Sequence, residues 1–230
     1  MKLKELESWL TRCEGFKKPK VKLEQYVTSS HIAARMLYAA QENIEGSSVC
    51  DLGSGCGILS IGSVLLGAQY VCGIEIDLDA INIALENYDE FFDEDDEPAP
   101  LDFINAELTT SEGDNEDCCS RFNSTFDVVV MNPPFGTKNN AGIDYAFLQR
   151  ALKLVHPGGH VYSLHKSSTR DFFMKKLKKS CEEFGCLVKG EVMAEVRYEL
   201  PKTYRFHKEK SLDIAVDFWC FQKQLNTENN

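Results

Sequence analysis

Asn132, Pro133, Pro134 and Phe135 follow directly on an apolar run, Phe126-Asp127-Val128-Val129-Val130-Met131, and they are the residues of this chain best equipped for chemistry. Each proline fixes its own φ and holds the residue before it extended, so a loop of this composition is rigid before any ligand arrives. The side-chain oxygen of Asn132 and the carbonyl of Pro133 are two acceptors that together can take both N–H groups of a planar amine. Such an amine is a poor nucleophile while its lone pair is delocalised into a ring. Held through both N–H bonds, it can pyramidalise toward an electrophile without a strong base. Phe135 offers a face for a purine, a contact worth roughly 1–3 kcal/mol per base. The plain alternative is a strand-to-loop turn, for which Asn-Pro is a common former.

A second group of residues supplies a place for the electrophile. Val49-Cys50-Asp51-Leu52-Gly53-Ser54-Gly55-Cys56-Gly57-Ile58 sets three glycines where a strand must turn sharply into a helix. Glycines there take strained backbone angles and let a nucleotide-like ligand approach closely. A dinucleotide fingerprint would need glycine in place of Ile58, so a nicotinamide cofactor loses its main support. Asp51, Gly53, Gly55, Cys56 and Gly57 are cofactor candidates. Glu75 lies 18 residues past Gly57, about where a carboxylate accepts hydrogen bonds from ribose hydroxyls. Asp77 reads instead as the N-cap of a helix starting at Leu78.

These groups need a frame, and the pattern around them provides one. Leu3 to Leu10 and Ser30 to about Asn43 have helical spacing. From Val49 onward, short apolar strands alternate with amphipathic helices. Strands are expected at Val49–Gly53, Tyr70–Ile76, Leu101–Asn105, Phe126–Met131 and His160–His165. Helices are expected at Ile58–Leu66, Leu78 to about Phe92, Tyr145–Val155 and Thr169 to about Phe184. That alternation predicts an α/β fold, doubly wound around a mostly parallel sheet. Cys186–Arg197 and Ser211–Phe221 are both strand-like with no helix between them, which predicts a C-terminal antiparallel hairpin. With 230 residues, one core is expected: residues 1–45 as a helical segment and cofactor lid, 46–224 as the catalytic domain, and 225–230 as a disordered tail.

No uncharged apolar run approaches a bilayer span, and the amino terminus has no apolar signal core, so an intracellular protein with no membrane role is expected. Nine cysteines then read as reduced thiols; none has zinc-site spacing, and no metal site is expected. A net charge of −11 by itself opposes a nucleic-acid partner, yet residues 86–117 hold 14 acids and no Lys or Arg, which leaves the rest of the chain at +3. The acidic stretch at 93–97 reads as a solvated insertion.

The turn Asp-x-Gly-x-Gly-x-Gly resembles the cofactor loop of class I methyltransferases, whose sheet is Rossmann-like and seven-stranded. Together with Asn-Pro-Pro-Phe, it resembles the amino-methyltransferases that act on adenine N6, cytosine N4 or glutamine amides. Longer stretches resemble the methyltransferase-like protein 5 family: Leu23-Glu24-Gln25-Tyr26 with Thr28, His31 to Tyr38, Met131 to Asn140, Ser163 to Arg170, and Phe206-His207-Lys208 with Asp213. That resemblance implies S-adenosyl-L-methionine as cofactor and formation of N6-methyladenosine in small-subunit (18S) ribosomal RNA. It also implies a heterodimer with a small zinc-binding activator, the tRNA methyltransferase subunit 11-2 homologue, and a place in the nucleus or nucleolus and the cytoplasm. By the same resemblance Gln25, Thr28, Gly53, Cys56, Ile58, Glu75, Glu107 and Leu108 contact the cofactor, and Asn132 to Phe135 the target base.

Candidate RNA contacts are Lys138, His165, Lys166, Arg197, Lys202, Arg205, His207 and Lys208. Around the hairpin connection, Tyr198, Tyr204 and Phe206 interleave with the basic residues, a composition suited to phosphate neutralisation and base stacking. Lys175, Lys176, Lys178 and Lys179 read as the outer face of a helix. In the usual strand order of this fold Leu101–Asn105 is an edge, and an unpaired edge invites association. The activator is expected there. Two alternatives stay open: a protein glutamine methyltransferase using the same Asn-Pro-Pro chemistry, and a non-catalytic RNA- or partner-binding protein that keeps the fold.

Overall fold

The computed structural model describes residues 1–92, 98–108, 119–136, 140–201 and 211–225, without the side chains of 199–201 and 211–213. Seven strands form one sheet in the order β3-β2-β1-β4-β5-β7-β6. They are β1 (Ser48–Leu52), β2 (Tyr70–Glu75), β3 (Leu101–Asn105), β4 (Phe126–Met131), β5 (Val155–Lys166), β6 (Val188–Pro201) and β7 (Ser211–Lys223). The first five are mutually parallel, whereas β7 enters antiparallel between β5 and β6. The doubly wound sheet, its C-terminal hairpin and the β3 edge all match the sequence expectation.

Strand alternation divides the core in two. Val49, Val71, Val128 and Val130 face one side; Cys50, Leu52, Cys72, Ile74, Val129 and Met131 face the other. Both sides are apolar because helices cover both. The first side packs against α1 (Leu3–Leu10), α2 (Ser30–Ile44) and α3 (Ile58–Leu65). The second packs against α5 (Ile143–Leu154) and α6 (Arg170–Lys178). Cys50 and Cys72 are buried among apolar side chains, as small apolar residues would be. Asp77 caps α4 (Leu78–Phe91), its side chain accepting the Asp79 N–H at 3.0 Å. Ser29 does the same for α2.

The structure departs from the sequence reading where tertiary pairing extends or breaks an element. β5 starts at Val155, five residues early, because Phe126 pairs with Val155 across a bulge. The expected single helix after Thr169 is two, α6 and α7 (Ser180–Phe184), broken at Lys179. The hairpin is longer than expected and overhangs the sheet. β5 ends at Lys166, paired with Val216, yet β6 and β7 continue pairing from Arg197↔Ala215 to Pro201↔Ser211. That overhang lies beyond the carboxyl ends of the parallel strands, the end at which open α/β sheets bind ligands. Among the described residues no helix is long and apolar enough to cross a membrane.

Candidate active site

A cavity of about 310 Å³ opens at the carboxyl ends of β1, β2 and β4. Its floor is the turn after β1. Gly53 (φ +75°) and Gly55 (φ +54°) take left-handed backbone angles, and a Cβ on Gly55 would lie 3.0 Å from the Phe16 ring. The turn is braced by Glu75, whose Oε2 accepts the Gly55 N–H at 2.9 Å while Oε1 accepts the Asp77 N–H at 2.9 Å. Each oxygen retains a lone pair for a further donor. Burial raises the Glu75 carboxyl above its ordinary range. Asp51, 1% exposed, also lines the cavity; burial pushes it up to about 7, against the hydrogen bond its Oδ2 accepts from Ser60 at 2.6 Å. Ile58, Cys56, Glu107 and Leu108 complete the wall on this side.

Residues 13–28 run over the other side of the cavity and are held by polar contacts. The Gln25 amide donates to Asp77 Oδ2 at 2.6 Å, and its Oε1 accepts the Lys20 N–H at 2.7 Å. Lys20 Nζ reaches Asp77 and Asp79. Asp77 is shifted below its ordinary value: burial pushes upward, but the hydrogen bonds from Lys20 and Gln25 outweigh it. Asn140, just past the Asn-Pro-Pro-Phe loop, donates to the Lys22 carbonyl and to Glu24 Oε1, both at 3.1 Å. Cofactor and target loops are thus stitched together by a segment the glycine motif does not include.

The orientation of Asn132 is set by its neighbours. Tyr198, on the overhanging part of β6, is 1% exposed and donates its hydroxyl proton to the Val27 carbonyl at 3.1 Å. With that proton committed, Tyr198 Oη acts as an acceptor, and it takes the Asn132 amide N–H at 3.0 Å. Thr28 Oγ1 takes the other at 2.8 Å. Both amide hydrogens are used, and Asn132 Oδ1 is left as an acceptor beside the cavity that Asn132 and Pro134 line.

Several expectations change here. Gly57 does not face the cavity: its missing Cβ points at Ala84 and Phe103, so it serves the start of α3. Pro133 and Phe135 are buried behind the loop, and the Phe135 ring packs edge-on against Tyr198 with centroids 5.7 Å apart. Phe135 at 7% exposure is a packed side chain and not an open stacking face. Tyr198, read as a stacking residue, is a positioning residue for Asn132.

His165 is no RNA contact. It is fully buried, 4.2 Å centroid to centroid from Phe173, with Nε2 on Ser163 at 2.7 Å and Nδ1 3.7 Å from Asp144. Burial lowers its pKa, which keeps it neutral. Lys166 is half-buried and Arg197 exposed at the site end. Lys138, Lys202, Arg205, His207 and Lys208 lie outside the described residues, as do 93–97 and 226–230.

Comparison with known proteins decides what the arrangement belongs to. The family model of ribosomal protein L11 methyltransferase (PrmA) matches residues 28–160, which include the glycine turn and Asn132 to Phe135. Over 224 residues the chain is 47% identical to the rRNA N(6)-adenosine-methyltransferase METTL5 of Danio rerio, covering 96% of this chain and 99% of that protein. The chain belongs to the rRNA N(6)-adenosine-methyltransferase family. The Drosophila melanogaster member is 46% identical over 225 residues, 96% of this chain and 97% of its own. A solved structure from Pyrococcus horikoshii, provisionally described as an RNA methyltransferase, superposes with a TM-score of 0.74 at 32% identity over 99% of both chains.

The cofactor of these methyltransferases, S-adenosyl-L-methionine, fits the residues present. The Gly53–Gly55 turn is a cradle that a side chain would fill, Glu75 and Glu107 offer acceptors to hydroxyl and amino groups, and Leu108 is an apolar contact for a ring. Carboxylates outnumber cations on the wall, with Glu14, Glu24, Asp51, Glu75 and Glu107 against Lys22. An acidic lining suits a ligand that carries a sulfonium.

Proposed function

We propose that this chain methylates N6 of an adenosine in small-subunit (18S) ribosomal RNA, in complex with a small zinc-binding activator. The observation that carries the reading is the commitment of both Asn132 amide hydrogens to Thr28 and Tyr198. It leaves an oxygen, fixed in direction, where a target amine must present its N–H. Bound in the cavity, S-adenosyl-L-methionine supplies an electrophilic methyl carbon. Asn132 Oδ1 and the Pro133 carbonyl accept the two N–H groups, and the nitrogen lone pair turns out of the ring plane. Positive charge developing on the nitrogen meets an Asn132 oxygen already fixed in direction, so positioning and electrostatics carry the rate. A methylated aromatic ammonium is acidic enough to lose its proton to water, so the site needs no strong base.

Kinship over the full chain with enzymes named for rRNA adenosine supports RNA as substrate. The family model is named for a protein substrate, which favours the rival, a protein amide, to that extent, but its match stops at residue 160 and leaves out β6 and Tyr198. Tritiated S-adenosylmethionine separates the readings. Label recovered as N6-methyladenosine and lost in Asn132→Ala is the expected result. Label in protein means an amide methyltransferase, and no label with the activator present means a non-catalytic binding protein.

The activator's place is the β3 edge. Even-numbered residues of β3 bond to β2, as the Ala106 N–H to Glu75 carbonyl and Val71 N–H to Pro100 carbonyl contacts set the phase, so Phe103 and Asn105 turn their backbone groups outward, while the Leu101 N–H is taken by the Ala99 carbonyl. An added strand would satisfy them.

A further inference from the structure

α6 begins four residues past β5, at the same end of the sheet as Asn132, and its buried Phe173 and partly buried Leu177 pack toward the core. An outward stripe beside them, at helical spacing, is Phe172, Lys175 and Lys176, followed by Lys179 at the C-cap. Phe172 is 43% exposed, which is unusual for an aromatic ring on a lysine-rich face. It stands edge-on to Tyr145, centroids 5.4 Å apart. Tyr145 lies in the first turn of α5, two residues after Ile143, which lines the cofactor cavity.

Lys176 Nζ sits 5.0 Å from the Tyr145 centroid and 5.5 Å from that of Phe172, and Glu183 holds it at 2.7 Å. Lys176 therefore props the ring pair more than it projects charge. Lys175 is exposed and makes no ion pair among the described residues, and Lys179 meets Glu182 at 3.4 Å with both side chains mostly in water. A pair that exposed contributes little. The remaining acids nearby are Asp171, exposed on the adjoining face, and Glu195, which Arg170 occupies.

We propose that this face of α6 is a second RNA-contact surface, where Phe172 stacks a flanking unpaired base and Lys175 and Lys179 neutralise the adjacent phosphates. Stacking platforms interleaved with cations are how proteins hold single-stranded RNA without reading its sequence. The location agrees with the charge distribution: the acids of α4 and β3 lie at the far edge of the sheet, away from α6. The inference rests on the RNA reading above.

The test uses the full chain with its activator and a transcript of small-subunit rRNA. Phe172→Ala, and separately Lys175→Ala with Lys179→Ala, are expected to raise the KM for RNA at least about fivefold near 0.15 M salt. kcat at saturating RNA and the Kd for S-adenosylmethionine should stay within about twofold, and Phe172→Trp should keep the wild-type KM. The lysine pair should also flatten the salt dependence of RNA binding by about 0.7 per lost phosphate contact. An unchanged KM in both variants overturns the surface. So does a KM change that comes with an equal loss of cofactor binding or melting temperature. A wild-type enzyme that labels no RNA overturns the functional reading and this surface with it; labelled RNA with unaltered variants overturns the surface alone.

Discussion

Tyr198 shows how far a single hydroxyl controls the target loop. It connects its own strand to two segments remote in sequence: Val27, and the target loop through Asn132 and, by its ring, Phe135. Tyr198→Phe keeps the ring and removes the acceptor, so one Asn132 N–H loses its partner and the amide is free to turn. Losing a buried partner costs about 1–3 kcal/mol, so kcat is expected to fall roughly tenfold or more while cofactor affinity is unchanged. Single-turnover rates beside calorimetric Kd values check this; a matching fall in both would mean that Tyr198 only supports the fold. Asp51 makes a separate prediction. Its folded-state pKa of about 7 lies above the unfolded Asp value. Its contribution to stability is therefore fully present below about pH 4 and is lost as pH rises through 7. The melting temperature of the wild type should decline over that window more steeply than that of Asp51→Asn, and parallel curves would refute the assignment.

At the scale of elements, the β3 edge and the glycine turn prove to be connected. Phe103 covers Gly73 and Gly57: a Cβ on Gly73 would come within 2.5 Å of its ring and one on Gly57 within 3.1 Å. Any substitution at Phe103 therefore disturbs the packing behind the cofactor turn, and a charged residue there would test two things at once. Phe103→Pro and Phe103→Leu both lose the ring, but only proline loses the outward N–H. If the activator adds a strand, co-purification should survive in the leucine variant and drop sharply in the proline variant. Equal retention in both would place the activator elsewhere. The β6–β7 overhang is the other element that matters here, because it carries Tyr198 past the end of β5 and over the target loop.

Over the whole molecule, the amino-terminal segment closes the site against the sheet. Arg12 reaches Glu90 and Lys17 reaches Glu86 through ion pairs in water, while Lys20 reaches the buried Asp77, so residues 12–20 lie against α4. The two exposed pairs hold weakly and are screened by salt. The segment is therefore expected to open and close as a lid. Saturating S-adenosylmethionine should slow tryptic cleavage at Lys17, Lys20 and Lys22 relative to the exposed lysines of α6. Cleavage rates at those three sites that ignore the cofactor would show that the segment is fixed independently of it. The described acids of α4 and β3 and the cationic α6 face then lie at opposite edges of one sheet, so a chain with a net charge of −11 still offers RNA a basic face.

Much of this was legible without a structure because it depends on local rules. Alternating apolar strands and amphipathic helices define a doubly wound sheet, three glycines after a strand define a ligand turn, and Asp77 before Leu78 defines a cap. In each case backbone sterics or hydrogen bonding act within a few residues. The place of β3 at the edge also followed, from the usual strand order of that fold. Tertiary structure alone decided what faces what. Gly57 turned from the cofactor to α4, His165 went into the core, and Phe135 and Tyr198 exchanged an expected open face for a packed contact. Those outcomes depend on pairings some 30 to 170 residues apart. A hydroxyl on β6 takes up the last free N–H of Asn132 only after β7 has been inserted between β5 and β6, and no spacing in the sequence records that insertion.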